Sequence, residues 1–220
     1  MINKIGRNHS NFFVICSGRL TKWKGITASV APMVGVAIWL VGFAPSDAHA
    51  ADECGVDPAG ATILNCAAAN YPTGIVYTNS DGLTLNLDNV ATTVPTVGVS
   101  VTSSAANTNN IVVNATNFTS VTTSANSQNG LSAVNAGTAG NATVTQAAGT
   151  VTTSGVSAIG LNSRINNSTN TGTALAEILG GNIVTTGVNA TGIVAQSAGR
   201  GDTIARVSGG ASTAIYQMVC

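Results

Sequence analysis

The chain has 220 residues, of which only 7% are charged, against roughly 25% in an ordinary soluble domain. Its formal charge of zero conceals a division: Lys4, Arg7, Arg19, Lys22 and Lys24 crowd the beginning, whereas from Ala51 onward three arginines (Arg164, Arg200, Arg206) meet seven carboxylates and lysine is absent. Clustered Lys and Arg for a nucleic-acid backbone are therefore missing, and imidazole base catalysis is excluded after residue 50, because His9 and His49 both precede it.

Residues 1–50 read as a long secretory signal. A basic n-region precedes an uncharged stretch from Ile26 to Ala44, Pro45-Ser46-Asp47 breaks it, and Ala48-His49-Ala50 has the small-x-small form of a cleavage site. Cleavage is expected between Ala50 and Ala51. An uncleaved anchor is the second reading, since the uncharged stretch nearly spans a bilayer; Pro32, Gly35 and Gly42 weaken it as a helix. In either case the basic flank stays cytoplasmic and the remainder is exported.

Residues 51–77 read as an N-terminal cap and first rung. Cys54 and Cys66 close a short loop, while Cys16 lies in the leader and Cys220 is the last residue. In an oxidising compartment Cys54 with Cys66 is the expected bridge; free thiols or a metal site are the alternatives, and two thiolates without histidine are poor metal ligands. Tyr71-Pro72-Thr73-Gly74 gives a turn before the apolar run Ile75-Val76-Tyr77. A disulfide-pinned hairpin here would cover the end of whatever follows.

Residues 78–220 then alternate at period two. Leu83, Leu85 and Leu87 share one face of a strand, Val97 to Val101 gives a second and Ile111 to Val113 a third. From Val121 one phrase returns three times: Val121-Thr122-Thr123 with Gly130-Leu131, Val151-Thr152-Thr153 with Gly160-Leu161, and Ile183-Val184-Thr185 with Gly192-Ile193. Gly98 stands in the same phase before Gly130. A repeat of about 30 residues marks a stacked solenoid. Three short strands per repeat predict an all-β, right-handed parallel β-helix, with Val121, Val151 and Ile183 in one internal column. Glycines are expected at corners needing positive φ, and Thr and Asn columns as side-chain ladders. Ala174 to Leu179 carries helix formers but is too short for a stable helix, so a strand is expected there.

Motifs for chemistry are sparse. Asp81, Asp88, Glu177 and Asp202 do not converge, and neither a nucleophile elbow nor a phosphate-binding loop is present. No catalytic, cofactor or metal residue is assigned, and no cofactor is implied. Five Asn-x-Thr acceptor motifs, from Asn114 to Asn189, follow from composition. Arg200-Gly201-Asp202 is a short adhesive tripeptide if exposed, and otherwise a solvated turn.

The long leader ending Ala-His-Ala, Glu53-Cys54-Gly55 with Cys66 nearby, the Tyr71-Pro72-Thr73-Gly74-Ile75 step and the Asn/Thr/Gly-rich repeats together resemble the amino-terminal passenger region of a Gram-negative autotransporter. The resemblance is one of order and style. It implies a surface-exposed β-helix, non-enzymatic and adhesive, whose partner would be a host-cell or extracellular-matrix receptor. The family's transmembrane β-barrel has no counterpart in this sequence, so a truncated passenger is expected, periplasmic unless a translocator carries it out. An exported carbohydrate-active β-helix enzyme and a product without function are the alternatives. The last repeat has no successor, which predicts self-association at the C-terminal end.

Overall fold

Alternating side chains build every coil. In the computed structural model, which describes residues 54–56, 60–94, 96–117 and 119–212, the inward residues of the strands are buried and the outward ones half exposed, as in the buried-intermediate alternation of Leu83–Leu87. The described residues hold strands and no helix. An abbreviated first coil contains β1 (Thr62–Cys66) and β2 (Ile75–Ser80). Four complete coils follow: β3 (Leu83–Leu87), β4 (Ala91–Thr93) and β5 (Val99–Ser103); β6 (Ile111–Ala115), β7 (Ser120–Thr123) and β8 (Asn129–Asn135); β9 (Ala142–Gln146), β10 (Thr150–Thr153) and β11 (Ile159–Ile165); and β12 (Ala174–Ile178), β13 (Asn182–Thr185) and β14 (Thr191–Ser197). A further coil begins with β15 (Thr203–Val207) and β16 (Ala211–Ser212). Ala174–Ile178 is thus a strand, as its length requires.

Strands in the same phase stack into three parallel sheets. Sheet A runs β1-β3-β6-β9-β12-β15, sheet B β4-β7-β10-β13-β16 and sheet C β2-β5-β8-β11-β14. The chain is therefore a parallel β-helix. Its register matches the repeated phrase: Val121 pairs with Val151 and Val151 with Ile183, while Val99 pairs with Leu131, Leu131 with Leu161 and Leu161 with Ile193. In sheet A, Leu64 pairs with Leu85, 21 residues on, and Leu85, Val113, Val144, Ala176 and Ala205 follow at 28 to 32 residues. The first coil is short because a single bridge, Asn70 to Ala91, replaces its strand in sheet B.

The N-terminal residues form the first rung of the stack, with β1 parallel to β3 rather than in a hairpin. Cys54 is bonded to Cys66, with their Cα atoms 4.8 Å apart, and the Tyr77 hydroxyl donates to the Gly55 carbonyl at 2.9 Å. Both links fold residues 54–56 back over the first coil.

The core is a long apolar stack with a small second cluster of Ala142, Ile165 and Ala174. Leu85, Val113, Val144 and Ala176 taper toward the C-terminus, while the neighbouring column runs Leu87, Ala115, Gln146 and Ile178, so that the small Ala176 stands beside the large Ile178, and all eight are buried. Each fully buried aliphatic side chain contributes roughly 1.5–3 kcal/mol.

Threonine behaves differently from expectation inside the stack. Thr123 and Thr153 are paired neighbours at 0% exposure, yet neither hydroxyl has a hydrogen-bond partner. Their inward column is a packing column and not a ladder. An unpartnered buried hydroxyl costs about 1–3 kcal/mol of desolvation, while valine has nearly the same shape. Thr153→Val is therefore expected to stabilise the protein by about 1 kcal/mol, read as a raised urea midpoint at unchanged slope; a lowered midpoint would show that the hydroxyl is bonded.

Candidate functional surface

Six strands make sheet A the broadest outward face. One outward column carries Ile63, Thr84, Val112, Thr143, Leu175 and Ile204, and the next Asn65, Asn86, Asn114, Thr145, Glu177 and Arg206, as the strand register dictates. Parallel in-register strands bring like side chains about 4.8 Å apart. The asparagines exploit that spacing: Asn86 Nδ2 donates to Asn65 Oδ1 at 2.8 Å, and Asn114 Nδ2 to Asn86 Oδ1 at 3.0 Å. Further along the column Glu177 forms an ion pair with Arg206. The arginine side chain is 46% exposed and that of Glu177 8%, so the pair is half buried, the arginine covering the carboxylate.

The corner from sheet C to sheet A holds the densest polar network. Asn135, fully buried, closes β8. Its Oδ1 faces Ser103 Oγ at 3.1 Å, Asn107 Nδ2 at 3.2 Å and the Gly137 amide at 2.9 Å, and its Nδ2 faces the carbonyls of Asn109, Ala139 and Asn141 at 3.2, 3.0 and 3.3 Å. One coil on, Asn170 Oδ1 accepts from the Gly172 amide at 2.7 Å, and its Nδ2 donates to the Gly137 carbonyl at 3.0 Å. Sequence reading passed over both residues, although Asn135-Ala136-Gly137 and Asn170-Thr171-Gly172 share an Asn-x-Gly spacing at the same corner, out of phase because the register pairs Asn135 with Ile165. An Asn side chain that accepts from the amide two residues on is the usual Asx turn.

Arg200, Gly201 and Asp202 occupy this same corner in the last coil. The Arg200 amide donates to the Asn170 carbonyl at 2.8 Å, and the Ala174 amide to the Asp202 carbonyl at 2.9 Å. A Cβ on Gly201 would run into the Gly172 carbonyl. The tripeptide therefore lies flush on the coil beneath it, its two charged side chains exposed. Close stacking alone requires glycine at 201.

The four carboxylates among the described residues remain apart. Asp81 Oδ1 accepts from Ser104 Oγ at 2.7 Å, and Asp88 Oδ1 from Asn89 Nδ2 and Asn117 Nδ2 at 3.0 and 2.8 Å. Glu177 lies three coils away, and Asp202 four coils from Asp81 along the same corner. Between Asn89 and Ser163 the sequence has no charged side chain at all. Among the described residues no group of three His, Cys, Asp or Glu could hold a metal ion, and no helix is long and apolar enough to cross a membrane. Ala50, Ala51 and Cys220 lie outside the described residues. Comparison with known proteins finds no matching family model, curated protein or solved structure.

Proposed function

We propose that this chain is an exported, non-enzymatic β-helix of the autotransporter-passenger kind, serving adhesion or contact at the cell envelope. The observation that carries this reading is the character of its outer surface. Asp81, Asp88 and Glu177 are each engaged by amide, hydroxyl or guanidinium neighbours, and among the described residues the carboxylates are spread over separate coils and corners. An acid–base hydrolase needs two carboxyl groups about 5–10 Å apart across a substrate. A rigid face of repeating Asn, Thr and aliphatic columns suits contact with a large partner better than turnover of a small one.

The leader reading and the charge division support export. The test expresses the full chain in a Gram-negative host and sequences the N-terminus of the protein recovered from outside the cytoplasm. A mature chain starting at Ala51, saturable binding to extracellular-matrix-coated surfaces and no release of reducing sugars are expected. Glycan cleavage that disappears when Asp81, Asp88, Glu177 and Asp202 are replaced together by their amides would overturn the proposal in favour of an enzyme. Recovery of the intact chain from the cytoplasm would overturn export.

A further inference from the structure

Four of the five Asn-x-Thr motifs are closed by the fold. In Asn114-Ala115-Thr116 and Asn141-Ala142-Thr143 the middle residue is a fully buried strand residue, Ala115 of β6 and Ala142 of β9. Asn117-Phe118-Thr119 and Asn189-Ala190-Thr191 end on buried threonines, the second of them in β14. A transferase has to hold the asparagine and the hydroxyl residue together, so each of these would first have to be drawn out of the stack by local unfolding. Asn167-Ser168-Thr169 is built differently. Ile165 pairs with Asn135 and Ala174 with Ala142, so the corner from Ile165 to Ala174 is two residues longer than the one beneath it. The corner above, from Ser197 to Thr203, is three residues shorter. The surplus turns outward: Ser168 and Thr169 are exposed, Asn167 is half-buried, and the Asn170 amide closes the turn on the Asn167 carbonyl at 3.2 Å. No residue of this motif belongs to a strand.

We propose that Asn167 is an N-glycosylation site of the folded chain, taking a sugar that arrives activated as a phosphate ester. The turn already sets the acceptor amide. Asn167 Oδ1 accepts from the Thr169 amide at 3.0 Å and from the Thr169 hydroxyl at 2.8 Å. Both donations draw electron density toward the oxygen and make a proton on Nδ2 easier to surrender. Nδ2 gives one proton to the Ala136 carbonyl at 3.4 Å, and a carboxamide carries two; the substituted amide therefore keeps that bond. In the transfer Nδ2 attacks the anomeric carbon. The nitrogen–carbon bond forms as the bond from that carbon to the phosphate oxygen breaks, the phosphate leaves with the electron pair, and the amide proton passes to a base of the transferase. A bulky hydrophilic group on this protruding corner displaces nothing packed in the coil.

The test offers the purified, folded full chain to a soluble asparagine glycosyltransferase with a nucleotide-activated hexose and, in a second arm, to a membrane transferase with a lipid-diphosphate-linked sugar. A protease digest of the same protein is treated in parallel. Intact mass is expected to show a single addition per chain and peptide mapping to place it on Asn167, whereas in the digest the other motifs are modified as well. The arm in which transfer occurs identifies the donor. Asn167→Gln should abolish the addition. Ser168→Pro keeps both the asparagine and the threonine, suits the second position of the turn and blocks the acceptor sequence; it should give no addition while its urea midpoint stays that of the parent. Thr169→Ser should retain the addition. A folded chain left unmodified at Asn167 in both arms, or modified to a similar extent at Asn117, Asn141 or Asn189, would overturn the proposal.

Discussion

Gly149→Ala is expected to cost more than about 3 kcal/mol and to separate the third coil from the fourth. Gly149 precedes β10 at φ +85°, and Gly181 and Gly210 repeat that conformation one and two coils on, at +83° and +84°. Positive φ is one part of the cost, roughly 1–2 kcal/mol for an L side chain. The larger part is contact. A Cβ on Gly149 would fall on the backbone of Thr119, both carbonyl and amide, and that carbonyl accepts from the Thr150 amide at 2.8 Å. Neither strand can withdraw without surrendering the ladder that joins sheet B. Gly60→Ala is the control: its φ of +97° carries the conformational cost, but no atom lies within 4 Å of the added carbon. It should cost only about 1 kcal/mol. Urea unfolding of both variants separates the two contributions; similar midpoints would mean that the inter-coil contact is elastic and the account of the column wrong.

A second glycine column follows another rule. Gly98 precedes β5, and Gly130 and Gly160 are the second residues of β8 and β11; none has positive φ, so the expectation of left-handed corners fails for them. A Cβ at Gly160 would lie 2.5 Å from the Gly192 carbonyl and 2.6 Å from Ile183 Cγ2. Space, and not torsion, demands glycine there. Left-handed corners occur instead at Ser127, Ser157 and Asn189, each at φ near +57° and all in one phase of the repeat. The sequence disguises that column because serine and asparagine both tolerate the conformation locally.

The contrast explains what could be read in advance. Apolar columns announce themselves, since Val121, Val151 and Ile183 must each fill the same slot and only aliphatic side chains do so. Coil length and strand phase follow from that recurrence. Polar corners are less legible, because each one is satisfied by a different set of donors: Asn135 and Asn170 fulfil related roles through different partners. In a chain full of asparagine, the two that are buried look like those of the exposed Asn65–Asn86–Asn114 ladder. Outward residues carry still less information, since a half-exposed Thr or Val on sheet A is compatible with many partners. Architecture was therefore readable from residue pattern, while the role of the surface required a separate proposal.

Asn135→Ala is the other substitution expected to be severe, at about 3 kcal/mol or more. Six polar groups converge on one carboxamide, more than its two N–H bonds and two lone pairs can serve at once, and the side chain is fully buried. Removing it takes away up to four hydrogen bonds at a time. It also strands the Gly137 amide, where an unpaired buried group carries its full desolvation penalty, and leaves Asn107 Nδ2 with the Asn109 carbonyl as its acceptor. Ser103 helps to bridge the corner, donating toward Asn135 and accepting from the Ala136 amide at 2.8 Å. Asn135→Ala and Ser103→Ala should therefore couple by about 1 kcal/mol in a double-mutant cycle. In a solenoid each coil contacts only its neighbours, so the loss should appear as faster hydrogen exchange around residues 103–111 and 135–142, with the first coil unchanged. A loss below about 1 kcal/mol, or exchange that rises uniformly along the chain, would mean that the corner is held by backbone stacking and that the amide network is only its ornament.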